Sequence, residues 1–211
     1  MRHHVIVKSL FLLWALIAGS AVLAQTLENE FTPYLGYRMG GSFEATDNLG
    51  RFNIADADSY GFIVNVMTRN QALYEFIYSK QETSARYDRP GQDNPDIGLE
   101  LESYELGGVY EFDGQMVRPY VSATVGATRA SVRSAETESD TFLSGSLGLG
   151  IKIRPDDRVG VRFEVRLRGI LVSSSSRLFC STGTGGSGCS VTLAGNAVGQ
   201  VETFGGVVIR F

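Results

Sequence analysis

The sequence has 211 residues, with 19 basic and 23 acidic side chains and a formal net charge of −4 at pH 7. This length suits one domain of ordinary size. The acidic balance argues against a protein that binds nucleic acid through a basic surface, so no nucleic-acid partner is expected.

The first 24 residues have the three parts of a secretory signal peptide. Arg2 and Lys8 give a basic start, residues 10–18 form an unbroken apolar run, and residues 22–24 supply small side chains for cleavage. The alternative is a membrane anchor, but the apolar run is short for a bilayer and no stop-transfer charges follow it. We therefore expect a signal peptide over the first 24 residues and one domain over residues 25–211.

Loss of this segment changes what chemistry the chain can perform. It removes Arg2, Lys8, both histidines and the single tryptophan, which leaves 17 basic against 23 acidic residues and a net charge of −6. A serine nucleophile needs a base, usually histidine, so the run of serines at 173–176 reads as a loop. The sequence therefore predicts no enzyme, no metal site and no cofactor.

Apolar residues in the predicted domain recur at every second position, which is the period of a β-strand. The clearest case runs from Val159 to Leu167, where apolar side chains alternate with charged ones. Charged residues interrupt every apolar stretch before it is long enough for a membrane helix. Eight strands are predicted, over residues 33–43, 60–67, 72–79, 104–112, 117–127, 143–153, 159–168 and 200–211.

The connections between these strands alternate in length. Short turns are expected at residues 68–71, 113–115 and 154–158, and long loops at residues 44–59, 83–97, 129–141 and 172–199. An even strand count with short turns at one end is typical of an outer-membrane β-barrel. The fold class predicted is an all-β, eight-stranded antiparallel up-and-down barrel, with periplasmic termini and extracellular long loops.

In such a narrow barrel, side chains can fill the interior. The polar strand faces supply a lumen ion-pair network, for which packing is preferred to a conducting pore. It comprises Arg38, Glu75, Glu105, Glu111, Arg118, Lys152, Arg162, Glu164, Arg166, Arg168, Glu202 and Arg210. A soluble, lipocalin-like binding barrel with the opposite orientation of faces remains the alternative fold, because alternation alone does not say which face meets water.

Cys180 and Cys189 are the only cysteines, and both fall in the longest expected loop. A disulfide is the default in an oxidising compartment. It would give either a rigid recognition hairpin or a loop protected from proteolysis, and the second is preferred.

The predicted domain resembles the small outer-membrane β-barrels of Gram-negative bacteria, the OmpA/OmpX-type group. The matching pieces are residues 33–38, residues 118–123 and the ending at 205–211. The resemblance implies that Val207, Ile209 and Phe211 are read by the barrel assembly machinery. It also implies contact with outer-membrane lipid and lipopolysaccharide.

Two classes of function follow from this sequence. The first is a structural or interaction protein whose four loops meet the cell surroundings, because loops on a rigid scaffold usually carry specificity. The second is a passage for small or apolar solutes that leave sideways through the wall, with Gly145, Gly148 and Gly150 relaxing the packing.

Overall fold

The structure is a computed structural model that describes residues 29–44, 51–68, 72–88, 96–133, 139–154, 158–171, 180–183, 186–189 and 197–211. The strands are β1 (Asn29–Met39), β2 (Ser42–Glu44), β3 (Arg51–Ile54), β4 (Ala57–Met67), β5 (Ala72–Asp88), β6 (Ile97–Glu111), β7 (Val117–Val132), β8 (Ser139–Ile153), β9 (Val159–Leu171), β10 (Cys180–Gly183), β11 (Gly186–Cys189) and β12 (Ala197–Arg210). No helix in these ranges is long and apolar enough to cross a membrane. The predicted signal peptide lies outside the described residues and stays a prediction.

Eight long strands close into an antiparallel barrel in the circular order β1-β12-β9-β8-β7-β6-β5-β4. Pairing between β5 and β6 joins the two ends of the sheet, so no long strand keeps an open edge. Closure satisfies the backbone N–H and C=O groups, each of which costs several kcal/mol when unpaired in hydrocarbon. The predicted eight-stranded barrel is confirmed.

The two ends of the barrel differ. Both described termini, Asn29 and Phe211, lie at the end where consecutive strands are joined by short connections, and they bond to each other through their backbones. We call this the turn end. The opposite end, where β9 stops at Leu171 and β12 begins at Ala197, is the loop end.

Four strands, β5 to β8, run well beyond their predicted bounds towards the loop end. Residues 83–88 continue β5, β6 begins at Ile97, and β7 and β8 extend to Val132 and from Ser139, so the expected loops at 83–97 and 129–141 are too long. The outward-facing residues of these extensions are polar, so the sequence shows no clear alternation of apolar outward and polar inward residues there. Their inner faces still carry buried apolar residues such as Ala85 and Ala130.

The expected loop at 44–59 contains a two-stranded extension, because β2 pairs with β3 and β3 pairs with β5. The chain bends between β1 and β2 at Gly40, where φ is +32°. Few residues other than glycine adopt this backbone conformation readily. The carboxylate of Asp56 accepts a hydrogen bond of 2.6 Å from the Gly40 N–H and ties the two halves of the extension together.

The outer face of the barrel is apolar and the inner face is charged. Large exposed outward side chains include Leu35, Tyr74, Leu106, Val125, Leu147, Leu149, Phe163 and Leu167. Charged side chains on the alternate positions are buried in the lumen. This orientation is the reverse of a soluble barrel, so the lipocalin-like alternative is wrong.

Candidate functional site

The barrel lumen holds three charged clusters stacked along its axis, covered at the loop end by apolar side chains. From the turn end they are the turn-end cluster (Glu30, Glu111, Lys152, Arg154), the central cluster (Glu75, Glu164, Arg162, Arg166) and the upper cluster (Glu105, Glu202, Arg38, Arg168). The apolar cap consists of Ile54, Ala85, Leu99, Leu101, Ala130, Phe142, Ile170 and Val198.

The central cluster alternates two arginines with two glutamates. Arg162 contacts Glu75 at 2.8 Å and Glu164 at 2.6 Å, and Arg166 contacts the same two carboxylates at 2.8 and 2.7 Å. All four side chains have 0% relative exposure. Each charge is therefore compensated by two partners, which offsets the cost of removing it from water.

Tyr120 completes the polar bonding of this cluster. Its hydroxyl donates to Glu164 at 2.6 Å and accepts from Arg162 Nε at 2.7 Å. The guanidinium carbon of Arg162 also lies 4.6 Å from the centre of the Tyr120 ring, a cation–π distance. Tyr120 was not among the predicted site residues, although its inward phase on β7 was predicted.

The upper cluster is linked to the central one through hydroxyl groups. Arg38 and Arg168 both contact Glu202, at 2.9 and 3.3 Å, and Arg168 also pairs with Glu105. Thr124 donates to Glu105 at 2.6 Å and is in turn 3.3 Å from Arg166 Nη1 in the central cluster. The two layers thus form one bonded network.

In the turn-end cluster, two carboxylates are surrounded by cations. Lys152 contacts Glu30 at 2.5 Å and Glu111 at 2.6 Å, and Arg154 contacts them at 2.7 and 2.9 Å. Sequence reasoning missed Glu30 and Arg154, because it began the first strand at Pro33 and placed residue 154 in a turn. Both residues are in phase with the inward positions of their strands, and that phase could have identified them.

The structure places ten of the twelve predicted network residues in the lumen with relative exposures of 5% or less. The other two lie at the turn-end rim. The side chain of Arg118 is 40% exposed and 3.8 Å from Glu111, and that of Arg210 is 12% exposed and 3.3 Å from Glu30. That the network holds the barrel closed stays a prediction.

The apolar cap closes the lumen at the loop end. Its eight residues come from seven strands around the barrel, and all are 7% exposed or less. Between the cap and the upper cluster, Gln200 donates to Gln81 at 3.4 Å. The cap was not predicted, because several of its members fall in segments that the sequence assigned to loops.

Two of the three glycines thought to relax the wall have another role. Gly148 and Gly150 face the lumen, where a Cβ atom would lie 2.0 Å from Glu164 Oε1 and 2.3 Å from the Tyr120 hydroxyl, respectively. They make room for the central cluster. Gly145 faces outward, and β8 is paired along its length with both neighbours.

The outer wall carries an aromatic row that crosses four neighbouring strands. Phe31, Phe62, Tyr78 and Tyr104 have successive ring-centre distances of 5.7, 5.5 and 5.1 Å. Nearer the turn end, a groove of about 580 Å³ lies over Gly108 and Ala123, between Tyr74 and Leu147. Its floor is the paired backbone of β5, β6 and β7.

Polar pairs mark the loop end outside the barrel. Arg86 donates two hydrogen bonds to Asp96, at 2.7 and 3.0 Å, and these hydrogen bonds lower the pKa of Asp96 below its usual value.

Cys180 stands directly opposite Cys189 in the β10–β11 pair. The described ranges contain no group of three His, Cys, Asp or Glu side chains arranged to hold a metal ion. The disulfide and the predicted assembly role of Val207, Ile209 and Phe211 stay predictions.

A closed eight-stranded barrel with an apolar exterior and a charged, filled interior defines a transmembrane β-barrel. The chain belongs to the outer membrane protein beta-barrel domain family, whose profile matches residues 11–185. This family membership supports a location in the bacterial outer membrane.

Solved structures agree on the fold. The chain is similar to Neisserial surface protein A, with 16% identity, 86% of this chain and 97% of that chain covered, and a TM-score of 0.58. It is also similar to the outer membrane protein OprG of Pseudomonas aeruginosa, with 11% identity, 88% and 95% coverage, and a TM-score of 0.50. At these identities the likeness concerns the fold alone. No curated protein matches the sequence.

Proposed function

We propose that this protein is a non-conducting outer-membrane anchor that presents its loop-end segments to the cell surroundings. The observation that carries the proposal is the filled lumen, in which three bonded charged clusters lie beneath an apolar cap. An eight-stranded barrel is just wide enough for side chains to fill it. A solute that crossed the lumen would have to separate several buried ion pairs. Each separation would leave a buried charge without its partner, which is energetically costly.

The loop end faces outward in this proposal, and the turn end faces the periplasm. Short periplasmic turns and longer extracellular loops are the usual arrangement in outer-membrane barrels. The extra strands β2, β3, β10 and β11 all belong to connections at the loop end. Surface recognition, together with contact with lipopolysaccharide, is therefore assigned to that end, and no catalysis is assigned to the barrel.

A sideways passage for small or apolar solutes is the second candidate. The outer groove over Gly108 and Ala123 favours it, because the small residues there leave the backbone of the wall thinly covered by side chains. Its floor nevertheless has regular backbone pairing between Gly108 and Ala123. The anchor is preferred since the inner side of this wall is covered by Leu73, Val109 and Tyr120.

Orientation can be tested by labelling intact cells with a membrane-impermeant maleimide, after both native cysteines are replaced by serine. Ala55→Cys places a thiol at an exposed loop-end position, and Gln115→Cys places one at an exposed turn-end position. We expect labelling only at residue 55 in intact cells and at both residues after lysis. Labelling of residue 115 alone in intact cells would reverse the proposed orientation.

The role of the loops can be tested by replacing residues 172–196 with a short Gly-Ser turn. Leu171 and Ala197 are already paired across β9 and β12, so a tight connection can join them. Lost adhesion to surfaces or partner cells with unchanged solute uptake supports the anchor. Unchanged adhesion with altered uptake of small apolar solutes supports the passage instead.

A further inference from the structure

The turn-end cluster differs from the other two clusters because two further cations, Arg118 and Arg210, approach it at the rim. The central and upper clusters each pair two arginines with two glutamates. At the turn end, Lys152 and Arg154 share Glu30 and Glu111, and Arg118 also approaches Glu111. We call this cluster, with Arg118 and Arg210 at its rim, the turn-end mouth.

Three of these cations approach one carboxylate. Glu111 is approached by Lys152 at 2.6 Å, by Arg154 at 2.9 Å and by Arg118 at 3.8 Å. Both guanidinium groups approach the same oxygen, Oε2, with Arg154 at 3.0 Å. Like charges this close repel each other, and the repulsion is little screened where burial excludes solvent.

The guanidinium group of Arg154 also has hydrogen-bond donors without acceptors. Its Nη2 makes all of its contacts with Glu30 and Glu111, while Nε and Nη1 are buried and have no hydrogen-bond partner. The side chain is 5% exposed. Buried charged donors without acceptors cost several kcal/mol in general, so such donors normally meet an anion or water.

Arg118 makes this site accessible from the turn end of the barrel. It lies at the rim with a side chain that is 40% exposed, and its Nε donates to the Gly114 carbonyl at 3.2 Å. That hydrogen bond holds the guanidinium at the mouth, beside the carboxylate that Arg154 also contacts. A planar guanidinium suits the bidentate recognition of phosphate oxygens.

We propose that the turn-end mouth binds a phosphate oxyanion through Arg154 and Arg118. The phosphate could be free in solution or belong to the headgroup of a lipid in the adjacent leaflet, since the mouth lies at the end of the membrane-spanning strands. The proposal rests on the geometry of the mouth and does not depend on what the loops bind.

Isothermal titration of inorganic phosphate tests this on the chain purified from outer membranes into a maltoside detergent, at constant ionic strength. The wild type is expected to bind one phosphate saturably. Arg118→Gln should weaken phosphate binding about tenfold or more. The affinity of Arg118→Lys should lie between those of the wild type and Arg118→Gln, because lysine keeps the charge but lacks the planar guanidinium that donates two parallel hydrogen bonds. Arg129→Gln is the matched control, because Arg129 is an exposed arginine at the loop end.

Arg118 is half-exposed and is not the main partner of Glu111, so its variants should fold, which heat-dependent gel mobility checks. Absence of saturable binding in the folded wild type, or equal affinity in Arg118→Gln, overturns the proposal. The same titration in phosphatidylcholine bilayers, compared with the phosphate-free maltoside micelles, separates the two sources. Binding seen in maltoside but lost in phosphatidylcholine assigns the site to a lipid headgroup phosphate, and binding kept in both assigns it to free phosphate.

Discussion

Arg166 on β9 donates a 2.8 Å hydrogen bond to Glu75 on β5, and these two strands lie opposite each other across the barrel. Four strand steps separate β5 from β9 in either direction around the wall. Arg162, also on β9, contacts the other oxygen of Glu75. The central cluster thus braces the barrel across its diameter, in addition to the strand pairing around its circumference.

Replacing Glu75 by Gln should strongly destabilise the barrel, because it leaves Arg162 and Arg166 with one carboxylate between them. Breaking a buried ion pair by removing one partner costs about 3–5 kcal/mol. The free energy of unfolding can be measured by urea titration with the folded gel band as readout. Glu102→Gln on the partly exposed outer face is the control and should cost less than ~1 kcal/mol. Equal losses in the two variants would contradict the brace.

The apolar cap makes a separate prediction for the loop end. Phe142→Ala should lower the free energy of unfolding by about 3–5 kcal/mol, because it opens a cavity among buried side chains. Leu143→Ala is the matched control, since Leu143 is the next residue and is exposed on the outer face. Hydrogen exchange should speed up at the loop-end parts of β6 and β7 in Phe142→Ala alone. Equal exchange in both variants would show that the cap does not hold these strands.

The lumen glycines should tolerate no side chain. Gly148→Ala would place a Cβ 2.0 Å from Glu164 Oε1 and 2.3 Å from Ser122 Oγ, so the central cluster would have to move. Gly169→Ala is the control, because its nearest neighbour would be the Gly145 carbonyl oxygen at 4.0 Å. We expect a lower yield of folded protein for Gly148→Ala only, measured as the heat-modifiable band. Normal folding of Gly148→Ala would contradict the tight packing described for the lumen.

The cysteines should form a disulfide in the exported protein. Cys180 and Cys189 face each other in the β10–β11 register, so the backbone brings them to adjacent positions. Thiol titration of the denatured, non-reduced chain should find no reactive thiol before reduction and two after it. Two reactive thiols before reduction would disprove the disulfide.

The terminal aromatic residue should matter for assembly in the cell more than for stability. Deleting Phe211 should reduce the folded protein recovered from outer membranes, while refolding of the purified chain in detergent stays near wild type. Phe112→Ala is the control, because Phe112 is another exposed aromatic residue at the turn end. Normal recovery from outer membranes without Phe211 would remove the assembly role predicted for Val207, Ile209 and Phe211.

The barrel and its two faces could be predicted because alternation is local. In β9, for example, Arg162 to Arg168 already show which positions turn inward. Which charges bond cannot be read from one strand. The pairing of Arg166 with Glu75 depends on closure of the barrel, which brings together residues 91 positions apart in sequence.

The apolar cap and the turn-end cluster escaped prediction for a different reason. Leu99 lies near a strand end where Gly98 and Glu100 obscure the period of two, whereas Glu30 and Arg154 lie just beyond the predicted strand bounds. These residues could have been identified by continuing the inward-facing positions of each predicted strand, every second residue, past its predicted ends. That Arg154 and Arg118 approach the same carboxylate oxygen also required the structure, since composition gives only the total charge.

Single-channel recording in planar bilayers tests the filled lumen most directly. We expect no steady conductance from the reconstituted wild-type barrel, because three ion-paired clusters and an apolar cap occupy its axis. A steady, large conductance from a preparation that is fully folded by gel mobility would contradict it.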